Sequence, residues 1–316
     1  MIFMDLACPV CECGESCTAT TTECGNCGYT DPMGIAREYA TLEEGQHYLE
    51  TIIKPHRREW EFRKREAELL ELIAQKDKII EEFQKNHNAN EYFQKGENYR
   101  LGIGGVSKDS VQAVKWYRKA AEQGHSRAQW RLGNRYYYGE GVSKNLTEAT
   151  EWYRKAAEQG HSEAQCSLGF MYHFGRGVSE NFTEAVKWYR KAAEQGYRVA
   201  QYNLGVMYQN GEGVSKNLTK AVEWYRKAAE QGHSDAQCKL GIMYHLGRGV
   251  SENLIEAVEW YRKAAEQGDS DAQYLLGLMY HSGRGVSKNL TEAAKWYRKA
   301  AEQGHSDAQK ALQKLK

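Results

Sequence analysis

SRAQWRLGNRYYYGEGVSKNLTEATEWYRKAAEQGH, residues 126–161, is the stretch from which most of this 316-residue chain can be read, because the chain largely repeats it. Its adjacent Trp152 and Tyr153 return as Trp116 and Tyr117, Trp188 and Tyr189, Trp224 and Tyr225, Trp260 and Tyr261, and Trp296 and Tyr297, always 36 residues apart. A fixed period in this range marks stacked helical hairpins, each too small to bury its own apolar face. Two helices fit one period. Helix A opens at Ser126, with Gln129 as its capping-box partner, and runs to about Tyr138. The same box stands at Ser162/Gln165, Ser234/Gln237, Ser270/Gln273 and Ser306/Gln309, whereas Arg198 replaces the serine once, so that helix is expected to fray. The glycines of Gly139-Glu140-Gly141-Val142 break the chain, and the valine is free to tuck the loop against the hairpin.

Helix B starts at Asn145, with Glu148 in the N3 position, and stops at Gly160. Ala149, Trp152, Tyr153, Ala156 and Ala157 form one apolar stripe on it. The opposite face offers Glu151 to Lys155 and Arg154 to Glu158 as weak pairs one turn apart. Ala128, Leu132 and Tyr136 make the inward row of helix A, and Gly133 beside them allows a close helix approach. Large side chains on one helix against small ones on the other fill an antiparallel pair without voids.

The pattern A-Q-x-x-L-G-x-x-Y-x-x-G-x-G-V-x-x-N-x-x-x-A-x-x-W-Y-x-x-A-A-x-x-G resembles the Sel1-like repeat, a relative of the tetratricopeptide repeat, over roughly residues 90–316. The resemblance implies an all-α, right-handed α-solenoid that serves as a scaffold for protein–protein contacts and carries no catalytic residues of its own. Some cysteine-rich members of this family, described as β-lactamases, pair cysteines within each repeat. Here Cys166 and Cys238 share one repeat position and have no partner in theirs, and no Ser-Lys or Ser-His-Asp constellation is evident. They read as small helix residues.

Three segments are expected: 1–34, 35–88 and 89–316. The first holds six of the eight cysteines, five acidic residues and no Lys or Arg. Two C-x-x-C pairs, Cys8 with Cys11 and Cys24 with Cys27, are separated by twelve residues, a spacing that closes a tetrahedral Zn²⁺ site in a small zinc ribbon. Cys13 and Cys17 are surplus. A nucleic-acid-associated zinc-ribbon protein is the alternative function, but an acidic ribbon lacks the charge that drives phosphate binding. Residues 1–7 carry Asp5 and no basic residue, which argues against an export signal and leaves the cytoplasm as the expected location.

Residues 35–53 look helical, Pro55 predicts a break or kink, and 56–86 resume a helix. Phe62, Leu69, Ile73, Ile80 and Phe83 form a partial heptad seam interrupted by Glu66 and Lys76. It suits either a homodimeric coiled coil through 56–86 or a helix folded back on the first hairpin, and the sequence leaves both open. Arg57, Arg58, Arg63, Lys64 and Arg65 interleave with Trp60 and Phe62, but Glu59 and Glu61 interrupt them, so a mixed-charge helix is the simpler reading. The remaining residues carry 33 basic and 25 acidic side chains, a balance that favours acidic partners.

Because the repeats are nearly identical, the positions that vary stand out. On helix A they are Trp130, Cys166, Tyr202, Cys238 and Tyr274; Asn134, Phe170, Val206, Ile242 and Leu278; and Tyr137, His173, Gln209, His245 and His281. The middle column is expected between neighbouring repeats. The resemblance implies that A helices line a concave groove, so the outer columns are expected to be exposed and to bind a peptide or helix of a partner. Trp130, Tyr137, His173, Tyr202, Gln209, His245, Tyr274 and His281 are the candidate contacts.

Overall fold

The computed structural model describes residue 51 and residues 54–315. The described residues form 13 α-helices and no strand. The first, Lys54–Leu101, is continuous and carries the boundary between two compact units, Met1–Gln84 and Lys85–Lys316. Pro55 therefore stands in a first turn, where its missing N–H costs nothing. Nor does the helix end near residue 86: it runs on as the A helix of the first repeat. On its exposed part lie Phe62, Leu69, Ile73, Ile80 and Phe83, between 42% and 72% accessible. The cysteine pairs assigned to zinc lie outside the described residues. Among those described, no group of His, Cys, Asp or Glu is arranged to hold a metal, and no helix is long and apolar enough to cross a membrane.

Six B helices follow, Ser110–Glu122, Leu146–Glu158, Phe182–Glu194, Leu218–Glu230, Leu254–Glu266 and Leu290–Glu302. They alternate with the A helices Ser126–Tyr138, Ser162–His173, Arg198–Asn210, Ser234–Leu246 and Ser270–Ser282, and Ser306–Lys314 closes the array. Each A helix packs on its own B helix, and each B helix on the next A helix. The predicted stripe and row are buried: Ala149, Trp152, Tyr153, Ala156 and Ala157 face Ala128, Leu132 and Tyr136. The close approach at Gly133 is literal, since a Cβ there would stand 2.6 Å from the Tyr153 ring. Val142 and Val178 pack from the loops onto the same core.

Asn145 caps its helix as expected, its side chain accepting from the Thr147 and Glu148 amides. The A helices are capped differently from the expectation. The cap lies one residue before the serine: His125, His161, His233 and His305 accept through Nδ1 from the amides of Ala128, Ala164, Ala236 and Ala308, and Asp269 accepts from Ala272. Tyr197 fills this position before Arg198–Asn210 and makes no cap bond, so the weak start falls on the expected helix for another reason.

The glutamine of each expected capping box has a different task. Gln129 is buried, donates to the Ala121 carbonyl at 3.0 Å and accepts from Gln159 at 2.7 Å, joining the ends of two successive B helices. Gln165, Gln201, Gln237 and Gln273 repeat the arrangement. The ion pairs expected on the B face are not formed among the described residues. Arg154 instead donates to the Tyr172 hydroxyl of the next repeat at 3.1 Å, and the Lys155 ammonium lies 4.1 Å from the centre of the Trp152 ring. A cation over an indole keeps its attraction without fixing a long carboxylate partner.

A capping imidazole must be neutral to accept a backbone N–H. Burial lowers the pKa of His125, His161 and His233 from the usual value near 6.5. Their contribution to stability is therefore complete above pH 6.5 and is lost as the pH falls through the lower folded values. The urea midpoint should fall between pH 7.5 and 5.5. His233→Asp, which copies the cap at Asp269, should shrink that fall; an unchanged fall in the variant would refute the role of the cap.

Candidate partner-binding face

The first varied column sits at the joint between repeats, where each ring lies against the capping residue of the next. Trp130 stacks on His161 with ring centres 5.6 Å apart, Tyr202 on His233 at 4.9 Å, and Tyr274 on His305 at 4.7 Å. Phe93 meets His125 in the same way in the first repeat, at 4.6 Å. Where the column carries Cys166 or Cys238, the next cap is Tyr197 or Asp269 rather than histidine. Both cysteines are buried and free, and burial raises the Cys166 thiol to about 12 and the Cys238 thiol also, so neither is a ready nucleophile. The two cysteines depart from the expected exposure: a side chain this short stays below the surface of the joint. Trp130, Tyr202 and Tyr274 are half-buried.

The second outer column is tied to the core. The core tyrosines Tyr189, Tyr225, Tyr261 and Tyr297 have no accessible surface, and a buried phenol needs a partner. Tyr225 donates to Gln209 Oε1 at 2.8 Å, and His245 and His281 meet the hydroxyls of Tyr261 and Tyr297 through Nδ1 at 3.2 and 3.5 Å. Tyr153 uses Asn134 of the middle column at 2.7 Å. His173 instead contacts Glu212 of the next loop at 3.1 Å, and Tyr137 accepts from Arg176. The middle column, Phe170, Val206 and Ile242 among it, is partly buried against the cores, as expected.

Two cavities open on this face. One of about 240 Å³ is lined by Tyr137, Tyr153, Cys166, Phe170, Tyr197 and Asn203, among others, spanning A helices of three successive repeats. The other, about 730 Å³, lies between the fourth and fifth repeats and holds Gln209, Lys216, Leu218, Lys239, Ile242 and Arg248, among others. Of the candidate contacts, Tyr137 and Gln209 therefore line cavities. Sequence reasoning missed the capping histidines and the three cations of the larger cavity. The cations were not legible as a group, because their positions also carry Arg131, Lys144, Arg176, Arg284 and Lys288 in other repeats.

An array of two-helix units capped, stacked and joined in this way defines a helical-repeat scaffold. A family profile described as the Sel1 repeat matches residues 92–125, 126–161, 162–197, 198–233, 234–269 and 270–305. The chain belongs to the Sel1 repeat family, whose members are in general protein–protein interaction scaffolds and typically non-enzymatic. It is similar to the Escherichia coli protein c5321, described as a protective antigen of uropathogenic strains displaying an SLR fold, with 44% identity and a TM-score of 0.68 over 71% of this chain and 48% of that one. The chain thus spans about half the length of that relative. It is also similar to a Sel1 repeat protein from Oxalobacter formigenes, with 38% identity and a TM-score of 0.63 over 68% of this chain and 86% of that one. No curated protein matches the chain.

Proposed function

We propose that this chain is a non-enzymatic cytoplasmic scaffold that holds a peptide or short helix of a partner protein on the A-helix face of its repeats. The observation that supports this reading is that both cavities on the A-helix face are lined in part by varied side chains, Asn134, Tyr137, Cys166 and Phe170 in one and Gln209 and Ile242 in the other, while the repeats agree in the core. Half-buried aromatic rings supply contact area at small entropic cost, and a few such anchors dominate most interfaces. Crosslinking of the full chain to a captured partner, followed by mass spectrometry, should place the links on A helices between residues 126 and 282. Links confined to residues 1–84, or to B helices, would move the binding site elsewhere.

We further propose that Cys8, Cys11, Cys24 and Cys27 hold one Zn²⁺, on the strength of their spacing. Elemental analysis of protein purified without chelator should find one zinc per chain. Cys24→Ser should abolish that zinc while leaving the helical circular-dichroism signal almost intact, because the repeats contact only their neighbours. A metal-free chain would remove this part of the reading.

A further inference from the structure

The loops that follow successive A helices meet at every joint, and their charges are matched at some joints and not at others. At the joint of the fifth and sixth repeats, Arg284 pairs with Glu252 at 3.6 Å. At that of the third and fourth, Glu212 takes the position of Arg284 and is contacted by His173. At that of the second and third, Arg176 lies over the rings of Phe170, Tyr137 and Phe174 and donates to the Tyr137 hydroxyl. Each of these charges has a local partner.

The joint of the fourth and fifth repeats differs. Lys216 and Arg248 repeat the two cations Lys144 and Arg176 of the second and third, but Gln209, Ile242 and Leu246 stand where Tyr137, Phe170 and Phe174 hold Arg176. A third cation, the half-buried Lys239, enters from the A helix at a position that is Ser167, Asn203 and Leu275 in the third, fourth and sixth repeats and, in the second, Arg131, which Glu97 pairs at 3.0 Å. All three line the cavity of about 730 Å³, with Gln209 and Asn210 as amides and Leu218, Ile242 and Met243 as apolar floor. No carboxylate is among these lining residues; Glu212, close by in sequence, receives the Asn210 amide at 3.0 Å and is held by His173. Among the described residues none of the three cations has an ion pair or a side-chain hydrogen bond. Three like charges around one hollow repel, and an anion between them turns that repulsion into binding. The hollow is far larger than an ion, and its floor is aliphatic.

We infer that this joint is the docking site for an acidic segment of a protein partner, one that sets carboxylates among Lys216, Lys239 and Arg248 and an aliphatic side chain on Leu218 and Ile242. The inference rests on the scaffold reading above and names the chemistry of its ligand. The test is fluorescence anisotropy on the full chain with a labelled peptide of four Glu-Leu repeats, and with its Gln-Leu counterpart. The acidic peptide should bind and the amide peptide should not. Lys239→Glu with Arg248→Glu should weaken binding by about tenfold or more. Lys288→Glu, a charge change in the sixth repeat, should leave it unaltered. The double variant should melt no lower than the wild type, because the carboxylate introduced at position 248 would face Lys216 as Glu252 faces Arg284, with the signs exchanged.

Equal binding of both peptides, no binding of either, or an unaltered affinity in the double variant would overturn the inference. So would an equal loss in Lys288→Glu, which would show general charge attraction, or displacement of the peptide by inorganic phosphate at a tenth of the acetate concentration needed, which would make it a phosphate site. A captured partner whose binding survives the double variant but fails in Tyr202→Ala would sink this inference alone and leave the scaffold reading standing.

Discussion

Gly213→Ala is expected to destabilise the repeat array by about 2–5 kcal/mol, whereas Gly232→Ala should cost no more than about 1–2 kcal/mol. Both glycines have positive φ, +65° and +79°, so both variants carry the strain of a Cβ in left-handed backbone. Only Gly213 is also crowded. It is the second glycine of its loop and lies on the first turn of the preceding B helix, where an added Cβ would overlap the Phe182 carbonyl. The obstacle is backbone, so relief requires one repeat to move off the next. Nothing lies within 4 Å of a Cβ at Gly232. Because each repeat is held by its neighbours, weakening one joint should also split the unfolding transition. Urea denaturation followed by circular dichroism reads both effects. Equal losses in the two variants would show that the loop does not set the distance between repeats.

Tyr225→Ala should cost about 3–5 kcal/mol, and more than Trp224→Ala, although the two residues are neighbours and the indole is larger. Tyr225 has no accessible surface; its ring packs on Gly205, where a Cβ would stand 2.7 Å away, and its hydroxyl is bonded to Gln209. The hole left by alanine has rigid walls on the helix backbone side. Trp224 is only partly buried, at the rim, with the Lys227 ammonium 4.2 Å above it. Water and the lysine stem can fill much of its space. Tyr225→Phe should cost about 0.5–1.5 kcal/mol, the range for one hydrogen bond, since half-buried Gln209 can turn to solvent. Should Trp224→Ala prove the more damaging, the core would lie under the indole rather than under the phenol.

That comparison also bears on the candidate face. Gln209, His245 and His281 vary among repeats, yet each serves a core tyrosine hydroxyl, and Tyr202 and Tyr274 each support the next repeat's cap. Substitutions there will lower stability as well as any affinity, so binding must be compared at equal folded fraction. Variation alone marked these positions in the sequence. What they touch was not legible, because the partner of Tyr202 is His233, 31 residues away, and no local pattern links an aromatic residue to a histidine in the following repeat.

The one-dimensional order of this protein was determined by its sequence. The period of 36, the stripe of Ala149, Trp152 and Tyr153, and the glycines that stop each helix require two helices per unit and a stack of units, since each depends only on neighbours within a turn or on exact recurrence. Tertiary structure alone decided the joints. The serine and glutamine of each expected capping box are as consistent with a local cap as with the observed arrangement. Only the packing of three helices leaves the Ala121 carbonyl and the Gln159 amide within reach of Gln129, and places His125 one residue ahead as the cap. Likewise Arg248, Lys216 and Lys239 are ordinary surface charges along the chain. The stacking of the fourth repeat on the fifth brings them around one hollow, because charge and hydrogen-bond partners are chosen by distance in space rather than by separation in sequence.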